Sequence, residues 1–229
     1  MATNFEMFGA AHFAILSAVL LLAAALAFVQ RRFAPAGKGV RLGLAAILLL
    51  DTLWWDGFLA WHHQLTFPDH LPIELCDITL YLTVVALITL RPAIFDLVYY
   101  FALAGTTMAL LTPDLWERFP SLGTVQFFVA HGLVVAAVLF LAWSRLARPR
   151  RGSVWRAMLG LNAWAAIDGA MDWAYGTNYM YLRSKPVNAS LLVLFGAWPW
   201  YIVVTEGVAL ALFLLLYVPY WRADLRGRA

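Results

Sequence analysis

Charged residues are scarce in this 229-residue chain, at 13% of the sequence, whereas hydrophobic residues make up 63%. Soluble domains contain about 25% charged and about 45–50% apolar residues. A soluble fold of this length could not bury so much apolar surface, so the composition excludes one. The single cysteine, Cys76, excludes an intramolecular disulfide. A Gly-rich phosphate-binding loop is also missing, so no nucleotide site is implied.

Long apolar runs fill almost the whole chain. One membrane-spanning helix needs roughly 20 apolar residues. Seven such runs are present, at residues 8–29, 40–61, 71–90, 93–111, 122–143, 154–175 and 198–221. The first run is too long for a signal-peptide core and has no basic segment before it. The sequence therefore predicts an all-α, polytopic membrane helical bundle with about seven transmembrane helices, and residues 1–229 form a single transmembrane domain.

Basic residues gather on one side of the predicted membrane. Of the 16 Lys and Arg residues, all but three fall in the loops after helices 1, 3 and 5 or in the C-terminal tail. The three others are Arg118, Arg183 and Lys185. Because cytoplasmic loops carry an excess of Lys and Arg, we expect the N-terminus outside and the C-terminus in the cytoplasm. The expected location is the cell membrane, most simply a bacterial plasma membrane.

Ionisable residues inside the predicted spans share one depth, from the outer headgroup level to the midplane. They come from six helices and comprise His12, Asp51, Asp56, Glu74, Asp77, His131, Asp168, Asp172 and Glu206. Such residues cost roughly 2.5–3.5 kcal/mol each on insertion scales and often mark a functional cavity. We expect a polar cavity in the outer half and an almost uniformly apolar cytoplasmic half. Each residue could instead hold a neighbouring helix through a hydrogen bond.

Cys76 and His131 are the pair in this region with nucleophilic chemistry. Pro72 predicts a helix start that places Cys76 one turn inside helix 3, where the helix dipole favours a thiolate. His131 could act first as a base and then as an acid. Burial and the neighbouring Glu74 and Asp77 oppose the thiolate. A lone buried cysteine is also often only a small hydrophobic residue.

An outer loop is rich in histidine, with His62, His63 and His70 near Asp69. These side chains could bind a metal ion, but adjacent histidines are not a standard ligand spacing. We expect interfacial anchoring there and no metal site. Tryptophans near the same predicted surface, such as Trp61, suit an aromatic belt at the membrane interface.

Four motifs occur in order along nearly the whole chain. They are LPIELC at residues 71–76, LTPDL at 111–115, QFFVAHG at 126–132, and the segment from NYMYL at 178–182 to WPWY at 198–201. Together they resemble the YwaF family of integral membrane proteins. The resemblance implies a relation to eukaryotic phospholipid acyltransferases whose catalytic cysteine and histidine would fall on Cys76 and His131. It also implies a distant similarity to membrane hydrolases of fatty-acid esters that use threonine and histidine. Glu74 and Asp77 depart from the family pattern, which has less acid at these positions.

The residues and the resemblance lead us to expect an enzyme, a membrane-embedded lipid acyltransferase or ester hydrolase. Cys76 would attack a phospholipid ester with His131 as its base, and a lysophospholipid or water would resolve the acyl-enzyme. Asn178, Tyr179 or backbone amides at the start of helix 3 could stabilise the oxyanion. The cavity would be lined by His12, Asp56, Glu74, Asp77, Asp168, Asp172, Asn178, Tyr179 and Glu206. We expect no cofactor and no nucleic-acid partner, and the sequence leaves the oligomeric state open.

The alternative is a seven-helix, proton-coupled transporter or binding protein for a small solute. It would use the acidic residues of the spans, namely Asp51, Asp56, Asp168, Asp172 and Glu206. Asp168 and Asp172 are four residues apart and share one helical face. They could share a proton, hold a cation, or bond to Asn162 or Asn178. Against a carrier, no inverted repeat is visible in the sequence.

Overall fold

Helices account for all the regular secondary structure in residues 5–34, 37–115, 117–186 and 191–226, the parts of the chain that the computed structural model describes. The α-helices of the described ranges are α1 (Ala10–Arg32), α2 (Gly37–Trp61), α3 (Leu75–Thr89), α4 (Pro92–Tyr100), α5 (Thr107–Leu111), α6 (Leu122–Trp143), α7 (Ser153–Tyr175) and α8 (Trp200–Arg226). A π-helical turn, Phe101–Thr106, joins α4 to α5 in one continuous segment. Short 3-10 helices, Tyr179–Tyr181 and Leu191–Phe195, lie between α7 and α8. The all-α prediction is confirmed.

Within the described ranges, five segments are long and apolar enough to cross a membrane: α1, α2, Pro92–Leu111, α6 and the first part of α8. Helix α3 is apolar but has only 15 residues. Helix α7 has 23 residues, and charged side chains, including Asp168, interrupt its apolar sequence. The outer surface is apolar where a bilayer would lie, as shown by Leu21 and Phe28 of α1, which are 69% and 68% exposed. The chain is therefore a multi-pass membrane protein.

Local hydrogen bonds decide where α3 begins. The Asp77 carboxylate accepts the Glu74 N–H at 3.1 Å, and the Glu74 side chain accepts the backbone N–H of Asp77 in return. This reciprocal capping box satisfies two amides that the first helical turn leaves free. Helix α3 consequently starts at Leu75 rather than at residue 71. Cys76 is its second residue, not one turn inside it as the sequence predicted.

Apolar packing holds six of the helices together. The buried core draws on α2, α3, α4, α6, α7 and α8, and its large, fully buried side chains include Leu48, Phe95 and Phe140. Helix α1 packs mainly against α6. A Cβ atom on Gly132 of α6 would lie 2.9 Å from Cγ2 of Val19 in α1. Glycine at this position therefore permits the close approach of the two helices.

A buried carboxylate lies at the opposite end of the bundle from the start of α3. Asp96 is 0% exposed and accepts the backbone N–H and the Nε–H of Arg150, each at 2.8 Å. Its Oδ2 also lies 2.7 Å from a terminal nitrogen of Arg150 and 2.9 Å from Nε of Arg156. These contacts fix the loop between α6 and α7 to the first turns of α4. The half of the bundle that the sequence predicts to be cytoplasmic is therefore not uniformly apolar at this point.

Reporter fusions should establish the orientation of the bundle. Fusions after Arg32 and Arg151 are expected to report the cytoplasm, and fusions near Asp69 and Lys185 the exterior, because the basic loops are retained inside. This pattern requires α3 and α7 to cross the membrane despite their length and charge. Alkaline phosphatase and fluorescent-protein fusions at the same four positions give opposite signals and control for each other. An exterior signal from the loop between α6 and α7 would contradict the expected topology.

Candidate functional site

A cavity of about 150 Å³ lies between α2, α3, α6 and the π-helical turn. Its wall includes Cys76 from α3, His131 from α6, Asp56 from α2, and Asp77 and Thr106. At about 30 Å³ per water molecule, the cavity has room for roughly five waters. An ester group fits such a volume, whereas the remainder of a lipid would have to lie outside it.

The hydrogen bond of His131 determines which of its ring nitrogens is free. Nδ1 lies 2.8 Å from the carbonyl oxygen of Phe127. Because a carbonyl can only accept, Nδ1 carries the proton, and in the neutral ring the lone pair is on Nε2. Among the described residues Nε2 has no hydrogen-bond partner. The Phe127 contact therefore fixes the proton on Nδ1 and leaves the lone pair of Nε2 free.

Cys76 enters the cavity from the second position of α3, where backbone amides remain unpaired. Within the described part of the chain, no hydrogen bond joins its thiol to His131, although the two side chains share the cavity wall. Unliganded catalytic pairs are often loose and tighten only when substrate binds. The geometry is thus that of two reactive side chains facing one small space from different helices.

Two carboxylates, Asp56 and Asp77, line the same cavity. Negative charge close to a thiol opposes the thiolate, and the same charge favours a protonated imidazole. The two carboxylates would therefore destabilise the thiolate and stabilise the imidazolium of a thiolate–imidazolium pair. Deeper in the bundle, Gln126 donates to Asp51 at 3.1 Å, so Asp51 has a partner within the protein.

His12 lies outside this cavity, because both of its ring nitrogens tie α1 to other segments. Nδ1 accepts the Phe8 N–H at 2.9 Å, and Nε2 lies 2.7 Å from the Leu110 carbonyl oxygen, to which it donates. The ring is completely buried and packs near Phe5 and Phe128. These bonds make His12 a structural link between the start of α1 and the end of α5.

Asp172 also lies outside the cavity and organises the loop after α7. One carboxylate oxygen accepts the Thr177 hydroxyl and the Tyr179 N–H, each at 2.8 Å. The Tyr179 hydroxyl donates to the Pro68 carbonyl, and the Asn178 amide is bound within the loop to Ser184 at 3.0 Å. Asp172 and Asn178 thus order the loop after α7, and Tyr179 holds this loop to the loop before α3. The sequence had placed all three residues in the cavity wall.

Three more predicted wall residues lie elsewhere. The Glu74 side chain caps α3 and accepts the Met180 N–H at 3.2 Å. Glu206 accepts a hydrogen bond from Asn162. Asp168 is 0% exposed, and neither of its carboxylate oxygens has a hydrogen-bond partner among the described residues. Apart from Asp168, the polar residues of the predicted outer half therefore divide between one small cavity and several contacts between helices and loops or between two helices.

The histidine-rich loop uses two of its rings in local contacts. Nδ1 of His70 lies 3.0 Å from the Thr66 hydroxyl, and the His62 ring packs on Phe58 with ring centroids 4.4 Å apart. No group of three or more metal-ligating side chains was found in the described ranges. These contacts agree with a local, structural role for this loop.

A larger, apolar groove of about 370 Å³ lies on the other face of α6, against α1. Ile15, Val19, Phe128, Val129 and Leu133 are among its lining residues. Cys76 and His131 do not contribute to it. Helix α6 thus separates an apolar groove from the cavity that Cys76 and His131 line.

Thr106 is a cavity residue that the sequence reasoning missed. It belongs to a short run of small and hydroxyl-bearing residues, at positions 104–107, inside an otherwise apolar segment. That run is the signal that could have directed attention to it. The π-helical turn that places it cannot be read from the apolar pattern, because its length and composition match an ordinary α-helix.

Comparison with known proteins gives a family match along nearly the whole chain. The TMEM164 family model matches residues 7–217. An uncharacterized protein of Treponema pallidum (strain Nichols) is 31% identical over 229 residues, which cover 98% of this chain and 93% of the relative. No solved structure matches significantly. The resemblance to the YwaF family was wrong, because the matching family model is a different one. The chain belongs to the TMEM164 family.

Proposed function

We propose that this protein is a membrane-embedded lipid acyltransferase or ester hydrolase in which Cys76 is the nucleophile and His131 its base. The observation that carries the proposal is their shared position in the wall of one cavity. The free Nε2 of His131 adds to it, since the Phe127 carbonyl holds the other nitrogen as a donor. With the YwaF resemblance withdrawn, the roles of the two residues rest on this geometry.

The first half of the reaction forms a thioester. The proton of the Cys76 thiol passes to Nε2 of His131 as the sulfur attacks the ester carbonyl carbon. The tetrahedral intermediate then collapses, the carbon–oxygen bond to the glycerol breaks, and His131 returns the proton to the leaving alkoxide. Because Asp56 and Asp77 oppose a preformed thiolate, we expect the proton to leave the thiol during the attack.

The second half releases the acyl group. His131 removes a proton from the hydroxyl of a lysophospholipid, or from water, as that oxygen attacks the thioester carbonyl. The carbon–sulfur bond breaks, and the Cys76 sulfur takes back the proton from His131. A lysophospholipid acceptor makes the protein a transferase, and water makes it a hydrolase. The same two side chains serve both outcomes, so the acceptor alone decides the reaction.

Access from the outer leaflet fits the position of the cavity at the predicted outer ends of α2 and α3. A lipid would bring only its ester group into the 150 Å³ space, while its acyl chains remain along the apolar exterior of the helices. We propose the plasma membrane of a bacterium as the location. In this arrangement the substrate need not leave the bilayer to react.

The transporter alternative gains less support from the arrangement of the acidic residues. Asp172 is used by Thr177 and Tyr179, and Glu206 is used by Asn162. Carboxylates that hold a loop or a helix are not free to bind and release a solute in each transport cycle. Two carboxylates remain as candidates for such a role: Asp168, whose oxygens have no partner in the described ranges, and Asp56, which lines the cavity.

Mass spectrometry of the purified protein tests the proposal directly. After incubation with phosphatidylcholine vesicles, the wild-type chain should carry one acyl group on Cys76, because the thioester is an obligatory intermediate. Neutral hydroxylamine should remove it, as expected for a thioester. The adduct should be missing in Cys76→Ala and strongly reduced in His131→Ala. Ester turnover by a Cys76→Ala protein would exclude the thioester route.

A further inference from the structure

Thr106 is a residue of the cavity wall, and its buried hydroxyl oxygen has no hydrogen-bond partner among the described residues. Its side chain lines the same space as Cys76 and His131, and the residue is only 2% exposed. In the described part of the chain, the hydroxyl oxygen makes no hydrogen bond. A buried polar group without a partner costs free energy, typically about 1–3 kcal/mol. Buried polar groups without a hydrogen bond are uncommon in native structures, so each one needs an explanation.

Several other threonines make a hydrogen bond from the hydroxyl to their own helix backbone, and Thr106 does not. A helical threonine can donate its hydroxyl to the carbonyl four residues earlier. This bond is made by Thr52, Thr79, Thr83, Thr89, Thr112 and Thr205. For Thr106 the corresponding carbonyl is that of Ala102. It is taken instead by the next residue, since Thr107 donates both its hydroxyl, at 3.1 Å, and its amide to Ala102.

The π-helical turn explains why Thr107, and not Thr106, bonds to the Ala102 carbonyl. Its wider hydrogen-bonding pattern shifts the partner of each carbonyl by one residue, so Thr107 reaches the acceptor that an α-helix would offer to Thr106. Single π-helical turns inside α-helices are frequently found at functional sites. Here the turn packs against α3 and α6, the two helices that carry the reactive pair.

The turn lies close to the start of α3. A Cβ atom on Gly105 would be 3.8 Å from Cδ2 of Leu75, and Leu75 directly precedes Cys76. The glycine leaves space for this contact. Thr106 is therefore in the part of the wall next to the helix start on which the nucleophile sits.

We propose that the Thr106 hydroxyl donates a hydrogen bond to the ester carbonyl oxygen of the substrate as Cys76 attacks. As the sulfur–carbon bond forms, the electron pair of the carbonyl moves onto that oxygen, which becomes an oxyanion. The hydroxyl stabilises this charge, and the unpaired backbone amide of Cys76 is a second donor at the helix start. This inference rests on the proposed function and names a catalytic residue for it.

Substitution by valine separates this role from a structural one, because valine keeps the shape and removes the donor. In single-turnover experiments with phosphatidylcholine vesicles, Thr106→Val should slow acylation of Cys76 by about 10²–10³-fold, the usual effect of losing one oxyanion donor. Thr106→Ser, which keeps a hydroxyl, should stay within about tenfold of wild type. Alkylation of Cys76 by iodoacetamide, which forms no oxyanion, should be unchanged in both variants.

The matched control is Thr83→Val in α3, since Thr83 is also buried but donates to the Thr79 carbonyl at 2.7 Å. It should acylate at the wild-type rate. If Thr106→Val melts well below wild type, Thr106→Ala is measured instead, with the same expectations. Wild-type acylation rates in a folded Thr106 variant would overturn the oxyanion role while leaving Cys76 as the nucleophile. A wild-type protein that is never acylated on Cys76 would overturn both proposals.

Discussion

Cys76→Ala and His131→Ala should each lower acyl transfer by roughly 10⁴-fold or more, and the double variant should be little worse than either. The reason is that the sulfur and the imidazole act in one step, so removing either removes the whole route. Both substitutions only reduce side-chain volume at the wall of an existing cavity, so the fold should persist. Release of fatty acid and formation of new phospholipid from a labelled donor lipid measure the two possible reactions.

Glu206→Gln is the matched control for these variants. The glutamine side chain can still accept from Asn162, which is the contact that Glu206 makes, and Glu206 is not part of the cavity wall. Acyl transfer should therefore stay near the wild-type rate. The reverse pattern, a silent Cys76→Ala beside a disabled Glu206→Gln, would contradict the enzyme and favour a carrier.

Removing both arginines that bind Asp96 should destabilise the protein more than removing Asp96 itself. In the Arg150→Ala/Arg156→Ala variant, a completely buried carboxylate loses both guanidinium partners and retains only the backbone N–H of residue 150, which costs about 3–5 kcal/mol. In Asp96→Ala, the guanidinium groups are already 47% and 43% exposed and can turn to water. The remaining cost is mainly the unpaired N–H of Arg150, about 1–3 kcal/mol. Thermal unfolding in detergent micelles measures the difference.

Adding Asp96→Ala to the double arginine variant should restore part of the lost stability, because it removes the stranded charge. Arg148→Ala serves as the control: its contact with Asp224 spans 3.7 Å and its side chain is 65% exposed, so the change should be within about 1 kcal/mol. A triple variant that is less stable than the double variant would show that the carboxylate is not strained by the loss of its partners.

The positions of the long helices could be predicted because each one is a long, mainly apolar run. Such runs form helices in lipid, because every backbone N–H and C=O group must make its hydrogen bond within the segment. The start of α3 was placed too early because it depends on two side chains, Glu74 and Asp77, bonding back to the helix end. An apolar pattern carries no information about that exchange.

The candidate site could be predicted only in part. Residue type indicates which side chains can react, but not which of them are already occupied by hydrogen bonds to other residues. Cys76 and His131 were predicted to be the reactive pair, and both line one cavity. His12 carries the same imidazole, yet its ring is engaged by the Leu110 carbonyl, 98 residues away in sequence. The partners of Asp96 are 54 and 60 residues away. Contacts at such separations follow from how helices pack, which no single-chain pattern encodes.

The π-helical turn at Phe101–Thr106 also has an evolutionary meaning. Such a turn holds one residue more than the α-helical turn it replaces, and each residue of an α-helix turns the chain by about 100°. Loss of a single codon from this stretch would let the segment close into a regular helix and rotate α5 about the helix axis. The hydroxyl at the cavity could then bond to its own backbone, as the other helical threonines do. One insertion or deletion, with no change of residue type, is enough to give this wall its free donor or to take it away.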